Sequence, residues 1–212
     1  MDVIHKYAEI IIKYYISIIG FYPQTSLVIN SGDLESMGGF PNSLGEITIH
    51  NLPAYDAKNM DWWKWIVAHE IGHMYWGFYV LDGDKKVGSE LGWLTIGLGL
   101  YLDRKFSLEM NLKHSEYIEM DYEYKKALLI YPKIDFGMDK EYEKIYEFDY
   151  NYAINHGKAL NYILELEKSL NPKRFWKFYL YLLRLFADKY ITQGLLEISM
   201  ERWLAGKFYN SL

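Results

Sequence analysis

The chemistry most legible in this chain lies in His69, Glu70 and His73, within the run His69-Glu70-Ile71-Gly72-His73. On a helix, residues four apart stand on one face, about one turn apart. Two imidazoles so placed can share one Zn²⁺ at about 2.0–2.1 Å each. The carboxylate after the first histidine lies beside them, where it can take a proton from water activated by the metal. His69 and His73 are therefore expected to be metal ligands, and Glu70 a general base. The frame around them is apolar, with Trp65-Ile66-Val67-Ala68 before and Met74-Tyr75-Trp76 after. An acid in such a frame needs a reason, because an unpaired buried carboxylate is costly. The plainer alternative is that the three polar residues hydrogen-bond one another on a half-exposed helix.

Catalytic zinc normally has three protein ligands and one open position. In His-Glu-x-x-His zincins the third is usually a Glu on the next helix. Here Glu90 is the Glu available on that helix, seventeen positions after His73. Its competing role is that of an acid stabilised by the positive end of a helix.

Composition narrows the rest. There is no cysteine. Thiolate catalysis, disulfides and cysteine-ligated metal are excluded, so a metal site must use His, Asp, Glu or backbone oxygen. A formal net charge of -5 argues against a general nucleic-acid partner, since nothing would neutralise phosphates. Hydrophobic residues make up 50% and aromatics 18% of 212 residues, enough for one well-filled domain. Many Ile, Tyr, Lys and Glu with Gln only at Gln24 and Gln193 fit a thermophile. Asp2, His5, Lys6 and Lys13 interrupt any leader-like run, and the apolar stretch Leu91–Leu102 is too short to span a bilayer. The expectation is a cytoplasmic protein with no membrane partner.

The elements that must position the motif follow from periodicity. Ile4, Tyr7, Ile11, Tyr14 and Ile18 predict a helix over 3–19, closed by Gly20. Leu27-Val28-Ile29 and Ile47-Thr48-Ile49 predict two short strands, separated by a turn-rich loop from Ser31 to Gly45. Asp61 is placed to cap a helix over 62–79 that carries the motif, and Ser89 to cap a second over 90–105. Asp139 to Tyr146 alternates acids with tyrosine, as a solvated helix or an extended loop. Helices are expected over 157–170, 172–189 and 194–205, parted by Asn171-Pro172 and by Thr192 to Gly194. Residues 1–60 would hold a helix and a small β region, and 61–212 the helices of one domain.

These residues resemble the catalytic domain of the membrane alanyl aminopeptidase family, gluzincin metallopeptidases that include leukotriene hydrolases. Val67-Ala68-His69-Glu70-Ile71-Gly72-His73 is similar to the family's zinc helix. Trp93-Leu94-Thr95-Ile96-Gly97-Leu98-Gly99-Leu100-Tyr101-Leu102 is similar to its second helix, typically Trp-Leu-Asn-Glu-Gly-Phe-Ala-x-Tyr-Leu. Gly20 to Val28 resembles the family's Phe-Gly-x-Tyr-Pro entry into its first strand, and Gly157-Lys158-Ala159-Leu160 with Phe175 and Trp176 the helices after its catalytic Tyr. The resemblance implies a mainly α, thermolysin-like zincin fold with a small β element near the N-terminus.

The chain departs from that pattern at three functional places. Ile96 stands at the family's third-ligand Glu, and Ile154 at its catalytic Tyr. Gly39-Phe40-Pro41-Asn42-Ser43 stands where the family grips the substrate amine with Gly-x-Met-Glu-Asn. In one reading neighbours take over. Glu90 becomes the third ligand, or else His50, His114 or His156 serves, and Tyr152 stabilises the oxyanion. The chain is then a Zn²⁺-dependent hydrolase of peptides. In the other it is a degenerate domain that works as a binding or interaction module. A third reading has exposed apolar surface driving self-association into a homo-oligomer.

Overall fold

The computed structural model describes residues 2–32, 38–42, 45–50, 60–81, 93–113 and 153–206, with isolated positions between 122 and 129. Glu90, Tyr152, His114, Ser89 and the acidic segment Asp139 to Tyr146 lie outside the described residues.

Helix α1 spans Asp2–Ile19. Its buried stripe is Ile4, Ala8, Ile11, Tyr15 and Ile19. Tyr7, Tyr14 and Ile18, expected in that stripe, lie along its edge and are half-buried. Gly20, at φ 105°, ends the helix in a conformation that glycine adopts at little cost. The Tyr15 hydroxyl donates to the Ala68 carbonyl at 3.0 Å and fixes α1 against the motif helix.

The two expected strands form, as β1 (Val28–Gly32) and β3 (Glu46–His50), paired in parallel. A third strand, β2 (Gly38–Pro41), forms inside the segment expected to be loop and pairs antiparallel with β3. The sheet order is β1-β3-β2, so Pro41 lies on an edge strand, where a missing backbone donor is tolerated. β2 packs beside the motif helix.

That helix, α2, spans Met60–Tyr75, and every residue from Trp65 to Gly72 is buried. It stops at Tyr75 rather than at 79, because Gly77 at φ 133° turns the chain into the short strands β4 (Trp76–Gly77) and β5 (Val80–Leu81). Asp61 sits inside the first turn instead of capping it, and its carboxylate accepts from the Lys113 backbone N–H at 3.0 Å. Helix α3 spans Trp93–Glu109, four residues past its expected end.

A π-helical turn, Ala153–Lys158, leads into α4 (Ala159–Leu170), followed by α5 (Pro172–Leu185) and α6 (Gln193–Leu204). Asn171 and Thr192 cap α5 and α6 through their side-chain oxygens. α5 ends four residues earlier than expected, where Phe186 leaves helical geometry and Asp188 takes φ 56°.

The described residues are thus mainly helical, with a small sheet. Among them no helix is long and apolar enough to cross a membrane. The buried Tyr179 of α5 accepts from the Trp76 indole and donates to the Leu98 carbonyl at 2.8 Å. One hydroxyl thereby ties α5 to the end of α2 and to the middle of α3.

Two glycines set how closely the helices approach. A Cβ on Gly72 would stand 3.3 Å from the Gly99 carbonyl oxygen, so α2 and α3 cross backbone to backbone. A Cβ on Gly97 would stand 2.8 Å from the Ala159 carbonyl oxygen. Gly97→Ala is therefore expected to destabilise the fold by about 1–3 kcal/mol, since added volume must push α4 off α3. Urea denaturation reads this directly, and an unshifted midpoint would show that the α3–α4 contact is looser than described.

Candidate metal centre

α2 presents His69 and Glu70 to the interior at 6% and 2% exposure, with His73 half-buried one turn on. The His69 Nε2 and His73 Nε2 atoms face each other at 3.1 Å. The opposite nitrogens are engaged by the protein. His69 Nδ1 lies 3.0 Å from Asp103 Oδ2, and His73 Nδ1 lies 3.4 Å from the Trp76 carbonyl oxygen. Asp103 projects from α3 and is fully buried. It is a member of the candidate site that spacing alone does not single out. Its one sequence signal is an aspartate in the apolar run of the second helix.

Burial controls the charge of this cluster. It pushes the His69 imidazole down to about 4, and pushes Glu70 up to about 8 with a smaller contribution from Asp103. Burial also raises Asp103 well above the ordinary carboxylate range, against a downward pull from the Trp65 indole. A neutral arrangement satisfies these contacts together. A protonated Asp103 donates to His69 Nδ1, His69 Nε2–H donates to His73 Nε2, and His73 Nδ1–H points at the Trp76 carbonyl.

The same geometry fits a cation. Two nitrogens on one tetrahedral ion at 2.0–2.1 Å would stand about 3.3 Å apart, close to the observed separation of 3.1 Å. Replacing the shared proton with a metal leaves both Nδ1 atoms free to donate, His69 to a carboxylate and His73 to a carbonyl. Carboxylate or carbonyl partners of this kind fix the tautomer of zinc-binding histidines and raise their basicity. Glu70 is buried beside the pair, and its Oε2 has no hydrogen-bond partner among the described residues.

The donor set is incomplete on the α3 side. Ile96 is half-buried, Thr95 is buried, and Gly99 lies against His73, where an added Cβ would be 3.8 Å from Nδ1. Among the described residues no three His, Cys, Asp or Glu side chains are gathered ready for a metal. Of the spare histidines, His50 lies on β3 and His156 on the π turn. The His156 ring stacks against His69 with centroids 6.3 Å apart. The structure thus brings Asp103, His73 and His156 each to His69, with Glu70 buried next to it in the chain.

No protein-family model matches the chain, and no curated protein matches it.

Stability of the metal-free protein should report this buried charge. Glu70 keeps its proton to about pH 8 in the fold but loses it near 4.5 when unfolded, so it costs stability as pH rises between them. His69 acts in the opposite sense between about pH 4 and 6.5, where the unfolded chain binds the extra proton. The two oppose each other at acid pH, and above about pH 6.5 Glu70 acts unopposed by His69. Chelator-treated protein is expected to lose thermal stability steadily from pH 6.5 to 8, with Glu70→Gln flattening that decline. Equal slopes for the two proteins would show that Glu70 is not buried as described.

Proposed function

We propose that this chain is a zinc-dependent hydrolase of peptides, built as a thermolysin-like zincin catalytic domain. The observation that carries the proposal is the facing pair of His69 Nε2 and His73 Nε2, with both Nδ1 atoms turned to protein acceptors. His69 and His73 would hold the ion. Zinc bound there supplies Lewis acidity to a carbonyl oxygen and lowers the proton affinity of water.

The residues of the chain do the rest. Asp103 holds His69 in the tautomer that leaves Nε2 as a donor to metal. Glu70 accepts a proton from the water that adds to the peptide carbonyl carbon. It passes a proton to the nitrogen as the C–N bond breaks, leaving a carboxylic acid and an amine. A carboxyl held near pH 8 by burial becomes available as a base when a divalent cation beside it favours ionisation. Tyr152 is the proposed donor to the developing oxyanion. With Asn42 and Ser43 at the family's amine-gripping positions, strict aminopeptidase specificity is not part of the proposal.

The competing reading, a degenerate domain acting as a binding module, draws on the apolar Ile96 at the family's ligand position. Zinc content and turnover separate the two. The purified protein is expected to hold about one zinc after dialysis and to hydrolyse peptides in a chelator-sensitive way. Glu70→Gln should keep the zinc and lose roughly 10²–10⁴-fold in turnover. A protein without zinc or turnover would leave the module reading standing.

A further inference from the structure

Two imidazoles leave a tetrahedral catalytic ion one protein donor short. α3 does not supply that donor from its acids. They are Asp103, committed to His69 Nδ1, and Glu109, exposed in the last turn. Gly99, which lies against His73, has no side chain to offer, and Ile96, at the resembling family's ligand position, is apolar.

The missing donor has a neighbour that can replace it. Gly97, next to Ile96, lets the Ala159 backbone come down onto α3, closer than any side chain there would allow. This contact holds the start of α4 beside Ile96, and His156 lies three residues before Ala159 in the π turn. π turns insert an extra residue into a helix and recur at functional sites. The ring geometry agrees. Imidazoles sharing one tetrahedral ion have centroids about 5 Å apart, given bonds of about 2 Å. His69 and His73 stand at 4.6 Å and His69 and His156 at 6.3 Å, so the His156 ring lies about 1 Å farther from His69 than a shared ion would hold it.

We propose that His156 is the third protein donor, so that His69, His73 and His156 form a three-histidine centre for one zinc ion. The role that a Glu of the second helix fills in the resembling family passes here to a turn that packs against that helix. The inference rests on the metal reading above, and its test separates the two.

The experiment uses zinc itself and the full chain. Zinc affinity is measured by competition with a chromophoric chelator, and the histidine count by X-ray absorption at the zinc edge. Both are made on the wild type, His156→Ala, His156→Asn and Glu90→Ala, with circular dichroism confirming the fold. The expected result is three imidazoles in the wild type and two in both His156 variants. Affinity should fall by about 10²-fold or more in those variants and stay unchanged in Glu90→Ala, as for a lost ligand. The asparagine variant keeps a polar side chain, so a packing failure confined to the alanine variant cannot pass for a ligand effect. Wild-type zinc binding that is insensitive to His156 but lost in Glu90→Ala overturns this inference and leaves the zinc hydrolase intact. Failure of the folded wild type to bind zinc overturns both.

Discussion

The candidate site depends on the crossing of α2 over α3 at Gly72 and Gly99. A Cβ at Gly72 would press on the Gly99 carbonyl oxygen at 3.3 Å, and the backbone contact there sets the separation at which Asp103 meets His69. With the helices in backbone contact, the acid on one meets the imidazole on the other in a space from which water is excluded. Every charge effect in the cluster follows from that exclusion. Asp103, Glu70 and His69 are each driven toward their neutral forms, and one chain of hydrogen bonds joins Asp103, His69 and His73.

Burial of so many titratable groups is otherwise unfavourable, and a divalent cation, as proposed above, would reverse its sign. Beside one, the carboxyl of Asp103 would gain by ionising, Glu70 would become basic, and the two facing nitrogens would share a partner instead of one proton. The tyrosines serve this arrangement from a distance. Tyr15 anchors α1 on the α2 backbone at Ala68, next to His69, and Tyr179 ties α5 to Trp76 after α2 and to the middle of α3. Their hydroxyls satisfy backbone carbonyls and an indole, which explains how a core this aromatic remains specific.

Much of this was legible in the residues. His69, Glu70 and His73 declare their shared face by spacing, and α1, α3 and the three C-terminal helices declare themselves by period and caps. What escaped did so for physical reasons. β2 is written in Gly-Gly-Phe-Pro, a composition that reads as loop and becomes a strand only because β3 offers an open edge. α2 ends early because Gly77 adopts a backbone that no periodicity encodes. Asp103 looked like one acid among many until α3 was laid against α2. His156 stood beside His50 and His114 as a spare histidine, and only the π turn and the Gly97 contact distinguish it.

The Gly72–Gly99 contact also decides where this cluster can give. Main chain resting on main chain is stiff, so α2 and α3 hold His69 and Asp103 in a fixed relation. The His156 imidazole that stacks on His69 comes from a different element, the π turn. Adjustment among the three histidines would therefore fall on that turn and leave the pairing of His69 with Asp103 as it is.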